Sequence, residues 1–181
     1  MELPMFCNQC EQTNAKTGGC TQIGVCGKDP DVHSLQEILL YGLKGVAAYA
    51  HHARRLGQVD EEVDAFAEEA LFATVTNVNF DVPALLEMVL RCGTINLKVM
   101  EMLDRGHVQR FGQPAPAKVF HGTKPAPGIL VTGHDMIDLW NLLEAARGTP
   151  VLVYTHGEML PAHMYPKLRE HPNLAGHFGG A

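Results

Sequence analysis

Gly128-Ile-Leu-Val-Thr-Gly-His-Asp135 and Pro150-Val-Leu-Val-Tyr-Thr-His-Gly-Glu158 are two short apolar runs separated by a helical stretch over 135–147. Each run has the length and β-branched content of a buried strand, and glycines bound both. Strand, helix and strand with short joins form a βαβ unit, so a parallel strand pair is expected. Both runs end in side chains that carry chemistry: His134 after the first, Glu158 after the second. In a parallel pair these project from the carboxyl edge, where open α/β sheets place their ligands. Adjacent strands lie about 4.8 Å apart, close enough for an imidazole and a carboxylate to meet at one centre. That ligand pair suits iron. The simpler alternative is that His134 caps or packs against the next helix and Glu158 is solvated. Asp135 reads as a residue of the helix N-terminus, favoured there by the helix dipole. His156 is a weaker candidate, for a proton donor. His163 and His171 read as surface or packing residues of a last helical turn or two over Tyr165–His171.

Upstream of this unit, Pro114, Pro116, Pro125 and Pro127 exclude helix and central strand, which makes 112–127 a linker. Before it, apolar positions recur at helical spacing in three segments. The first starts near Ser34, with Glu37 completing a capping box, and stops at Gly57. The second begins after Asp60 and runs towards Thr76. The third runs from about Val82 to Gly106. Short connections between three amphipathic helices favour an antiparallel bundle over 33–111. Cys92 falls on the apolar side of the third helix and reads as a small core residue. The His51-His52 pair reads as a partly solvated helix face. The expected fold class is therefore α+β and multidomain: a cysteine loop and three-helix bundle, then the start of a Rossmann-like parallel α/β domain over 128–181. A two-stranded parallel unit is an unusual stopping point, since parallel sheets need both faces covered.

Residues 1–32 are loop-rich, with no sustained periodicity. Four of the five cysteines crowd there as Cys7-x2-Cys10-x9-Cys20-x5-Cys26. The start of the chain lacks the basic and apolar regions of a signal peptide, so reduced thiols and a metal site are the first reading. Four thiolates suit a tetrahedral zinc or an iron–sulfur cluster. The opened x5 spacing favours the cluster, with zinc and unligated redox-active thiols as alternatives.

The 181 residues, 46% hydrophobic and 19% charged, describe a folded domain or two rather than a disordered chain. A net charge of −6 argues against nucleic acid or an anionic membrane as the main partner. No apolar run reaches the roughly 18 residues of a membrane span.

Met5-Phe-Cys-Asn-Gln-Cys-Glu-Gln-Thr13, Gly19-Cys-Thr-Gln-Ile-Gly-Val-Cys-Gly-Lys28, Tyr41–Tyr49, Phe72–Asn77, Gly128–Asp135 and Val153–His163 resemble the hybrid cluster proteins, also called prismane proteins or hydroxylamine reductases. The resemblance spans nearly the whole chain. It implies a 4Fe-4S cubane on Cys7, Cys10, Cys20 and Cys26. It also implies a hybrid 4Fe-2O-2S cluster whose iron ligands include His134 and Glu158. The implied activity is reduction of hydroxylamine to ammonia and water, with nitric oxide as a related substrate. An electron-donor protein and a cytoplasmic, oxygen-poor setting are implied with it. One three-helix bundle, where longer family members have two, points to the shorter variant. The family's hybrid cluster also needs later cysteines and a second glutamate, yet no cysteine follows Cys92. The chain is therefore expected to be the front part of a longer enzyme, or half of a split one. The alternatives are a cluster-binding electron-transfer module without turnover and a relative of the nickel carbon monoxide dehydrogenases.

Overall fold

In a computed structural model, residues 4–13, 15–75 and 77–180 are described. The chain forms two compact units, Met1–Leu103 and Asp104–Ala181. No helix among the described residues is long and apolar enough to cross a membrane.

The first unit holds the cysteine loop and α1 (Pro30–Arg55), α2 (Glu61–Ala73) and most of α3 (Val82–Phe111). Helix α1 starts four residues before the expected Ser34. Asp29 is its N-cap, accepting a hydrogen bond from the Val32 N–H at 2.8 Å, and Pro30 occupies the first turn. Proline is favoured there because its missing N–H would have no helical partner. Ser34 lies inside the helix, and its hydroxyl donates back to the Pro30 carbonyl at 2.7 Å. Gly57, with φ +80°, follows the C-cap as expected. Asp60 caps α2, which ends before Thr74; Thr76 lies outside the described residues. Helix α3 passes through Gly106 to Phe111, longer than expected. A helical glycine costs only about 1 kcal/mol, which packing readily offsets, and the stop falls at Gly112 with φ +90°. Leu39, Leu43 and Val46 of α1, Phe66 of α2, and Leu85, Ile95 and Val99 of α3 make one core. Burying each such side chain contributes about 1.5–3 kcal/mol. Buried Gln36 ties α1 to the end of α2 through the Ala73 carbonyl at 3.1 Å.

In the second unit, residues 112–127 have no helix or strand. They lead to β1 (Gly128–Val131), α4 (Met136–Ala146), β2 (Leu152–Thr155), a 3-10 segment (Gly157–Met164), α5 (Pro166–Arg169) and β3 (Leu174–His177). The sheet is parallel throughout, in the order β1-β2-β3. The β1–α4–β2 unit is the one read from sequence. Strand β3 has no counterpart in the sequence reading, which places a helical turn or two over Tyr165–His171, where α5 covers Pro166–Arg169. Leu-Ala-Gly-His has neither apolar alternation nor β-branched residues, and it is a strand because β2 pairs with it. Gly176 permits that pairing, since a Cβ there would collide with the Phe120 backbone carbonyl. That same carbonyl accepts from the His177 N–H at 2.8 Å. Leu139 and Leu143 of α4, Val153 of β2, and Met159 and Leu168 form the buried interior.

Candidate metal centres

The cysteine loop is pinned by a two-residue antiparallel bridge. The Cys7 N–H donates to the Cys20 carbonyl at 3.0 Å, and the Cys20 N–H donates to that of Cys7 at 2.8 Å. Such a pair places the two Cα atoms about 5.5 Å apart. Both residues are buried, while Cys10 and Cys26 are partly exposed, and all four thiols are free. A turn closes behind Cys10, where the Thr13 hydroxyl donates to the Cys10 carbonyl at 2.7 Å. Another holds Cys26: the Gly24 N–H donates to the Lys28 carbonyl at 2.7 Å, and Gly27 has φ +90°. A Cβ on Gly24 would stand 2.9 Å from the Cys26 sulfur, so glycine lets that thiol fold against the loop.

Lys28 closes the turn with its side chain 0% exposed. Its Nζ lies 3.8 Å from Cys7 Sγ and donates to Gln9 Oε1 at 3.0 Å. No three His, Cys, Asp or Glu side chains among the described residues gather as they would around one metal ion. The donor set nevertheless fits an anionic thiolate-bound group, because four free thiols share one loop with a buried ammonium.

At the sheet's carboxyl edge, His134 follows β1 through Thr132 and Gly133 and is exposed. Asp135 is the α4 N-cap, accepting from the Ile137 N–H at 2.7 Å and the Asp138 N–H at 3.2 Å. Glu158, also exposed, lies in the first turn of the 3-10 segment. The two turns adjoin: the His156 N–H donates to the Val131 carbonyl at 2.8 Å, and a Cβ on Gly157 would stand 3.7 Å from Thr132 Oγ1. The β1 and β2 ends are thereby locked together beside His134 and Glu158. His156 Nδ1 lies 2.7 Å from the Phe178 carbonyl, which can only accept, so Nδ1 carries a proton.

Behind this edge is a group that the sequence did not reveal. The Thr155 hydroxyl lies 2.8 Å from His163 Nε2 and 2.9 Å from His177 Nδ1. A hydroxyl has one proton and two lone pairs, so at most one imidazole accepts from it and at least one donates to it. Burial, then the neighbouring His177 and His121, lowers the His163 pKa to about 4. The ring is neutral at physiological pH. His163 and His171 are both buried packing residues rather than surface ones. The His171 pKa is also lowered, chiefly by burial and then by Arg147. Cys92 is buried in the helical core as expected, and burial pushes its thiol pKa up. Lys28 and the Thr155 group gave no sequence signal, because neither burial nor contacts 8 and 22 residues apart leave a local pattern.

The profile of the Prismane/CO dehydrogenase family matches residues 5–89 and 81–181. The chain belongs to the Prismane/CO dehydrogenase family. Within it, the chain is 60% identical over 177 residues to a hydroxylamine reductase of Moorella thermoacetica, covering 98% of this chain and 41% of the relative. It is 50% identical over 179 residues to a hydroxylamine reductase of Thermotoga maritima, covering 99% of this chain and again 41% of the relative. The chain thus spans about two fifths of the length of these prismane relatives. The Ni-free crystal structure of carbon monoxide dehydrogenase from Thermococcus sp. AM4 superposes with a TM-score of 0.67 at 15% identity, over 91% of this chain and 42% of that one. At that identity the likeness concerns the fold.

Proposed function

We propose that this chain is part of a hydroxylamine reductase, converting hydroxylamine to ammonia and water with two electrons and two protons. The observation that carries the reading is 60% identity, across 98% of this chain, to a protein of that name. Cys7, Cys10, Cys20 and Cys26 would hold a 4Fe-4S cluster, and His134 with Glu158 would supply part of the ligand set of a hybrid iron–sulfur–oxygen cluster. When bound, these groups supply single-electron transfer and an iron at which the N–O bond is reduced. The remaining ligands would come from the rest of the enzyme, in the same product or a partner chain.

The chain's own residues position and exclude. The Cys7–Cys20 bridge and the Gly24–Lys28 turn set the thiol spacing. The locked β1 and β2 ends orient His134 and Glu158, and the Asp135 cap fixes the backbone after His134. Glu158 offers an exposed carboxylate, and His156 keeps Nε2 free of the carbonyl bond, in a position to carry a proton inward. An electron-donor protein and an oxygen-poor cytoplasm complete the reading.

In the full-length protein, Glu158→Gln and His134→Ala should abolish hydroxylamine turnover and leave the EPR signal of the reduced cubane intact. Full activity in both variants would refute the ligand assignment. Iron and sulfide near four per chain with no turnover in the full-length wild type would instead support an electron-transfer module.

A further inference from the structure

We propose that Lys28 is a positioning charge that raises the reduction potential of the iron–sulfur group held by Cys7, Cys10, Cys20 and Cys26. The inference rests on the reading of those four thiols given above. It is carried by the juxtaposition of a fully buried ammonium with a ligand sulfur, 3.8 Å from Nζ to Cys7 Sγ. A lysine near a protein surface extends its head into water, whereas Lys28 is 0% exposed. Among the described residues its side-chain partners are the Cys7 sulfur and the neutral amide oxygen of Gln9 at 3.0 Å, and no carboxylate pairs with it there. The nearest acid in sequence, Asp29, is committed to the α1 N-cap through the Val32 N–H.

A buried cation with no anion beside it is strongly disfavoured. Lys28 is stable in this position if its counter-charge is the thiolate set. The turn that buries it also shapes the Cys26 thiol. The Lys28 carbonyl accepts from Gly24, and a Cβ on Gly24 would meet Cys26 Sγ at 2.9 Å and Lys28 Cβ at 3.1 Å. Gln9 lies between Cys7 and Cys10 in sequence, so the same side chain that orients Nζ belongs to the first cysteine pair.

The consequence is electrostatic. When the group accepts one electron from an external one-electron reductant, its negative charge rises by one. A positive charge at short range in a low-dielectric surrounding stabilises the reduced form more than the oxidised form. Donors directed at ligand sulfurs act in the same direction, and net charge and hydrogen bonds to sulfur are established determinants of such potentials.

The test is an EPR-monitored redox titration of the full-length protein, purified without oxygen, as wild type, Lys28→Met and Lys28→Arg. Iron and sulfide are quantified in each. Methionine matches the lysine stem without its charge, and arginine restores the charge. The methionine variant should keep its iron while its oxidised-to-reduced ratio, read at the wild-type midpoint, rises at least tenfold, equivalent to about 59 mV for one electron. The arginine variant should recover most of that shift. An iron-loaded methionine variant with an unchanged midpoint overturns the role of Lys28 and leaves the cysteine site standing. If the methionine variant loses its iron, retention in the arginine variant supports a requirement for the charge, and loss in both overturns the proposal. Wild-type protein without the reduced-cubane signal overturns the cysteine site itself, and this inference with it.

Discussion

Replacing His163 by glutamine removes an imidazole that folding holds neutral. His163 is 6% exposed, and its Nε2 lies 2.8 Å from Thr155 Oγ1. Burial, reinforced by His177 and His121, brings its pKa from 6.5 down to about 4. The unfolded chain therefore takes up this proton at a higher pH than the folded chain does. The stabilisation is complete above about pH 6.5 and is lost as the pH falls towards 4. The slope is about 1.4 kcal/mol per pH unit, so the loss over the interval is roughly 3 kcal/mol. His33 and His171, whose pKa values are also lowered chiefly by burial, add losses of the same sign, but both proteins share them. Urea unfolding of wild type and His163→Gln at pH 7.5, 6.5, 5.5 and 4.5 isolates the His163 contribution. Circular dichroism reports the whole chain, and the fluorescence of Trp140, the single tryptophan, reports the second unit. The variant is expected to be less stable at pH 7.5, because glutamine fits the Thr155 hydroxyl less well, and to show a shallower decline below pH 6.5. Parallel declines, within about 0.5 kcal/mol at every pH, would refute a buried neutral His163.

Three further experiments test the packing and the start of α1. Gly176→Ala drives a methyl into the Phe120 carbonyl and should cost at least 2 kcal/mol, or roughly 8 °C in the melting temperature of a unit this size; a drop under about 4 °C would contradict the close approach. Asp29→Ala should destabilise by about 1 kcal/mol in urea unfolding while Ser34→Ala stays within about 0.5, and the opposite order would move the start of α1 back to Ser34. Gly42→Ala places a Cβ 2.9 Å from Cys92 Sγ and should cost about 1–3 kcal/mol, with Cys92→Ala relieving it. Additive effects of that pair in a double-mutant cycle would show that the two residues do not press on each other.

Low sequence identity coexists here with retained architecture. The likeness to carbon monoxide dehydrogenase has a TM-score of 0.67 at 15% identity. Apolar periodicity and glycine placement can be kept while most side chains change, because a core needs volume and pattern more than identity. The chemistry does not follow from that likeness. In the function proposed above it rests on His134, Glu158 and the cysteine loop, which are few residues at particular turns.

Local patterns in the chain were enough to reveal three helices, a β-α-β unit with His134 and Glu158 after its strands, and four clustered cysteines. Each of these signals is written within one segment: a 3.6-residue period, a short apolar run, a spacing. The start of α1 was also local, in Asp29-Pro30, but Ser34 and Glu37 imitate the same signal one turn later. Other features exist only once distant segments meet. Strand β3 has no strand-like pattern of its own and forms because β2 and the Phe120 backbone supply its partners. The burial of Lys28 beside Cys7 joins residues 21 apart, and the Thr155–His177 contact joins residues 22 apart. Charge and hydrogen-bond energies depend on the surrounding dielectric, and that surrounding is created by tertiary packing, so the electrostatics of both sites were decided there.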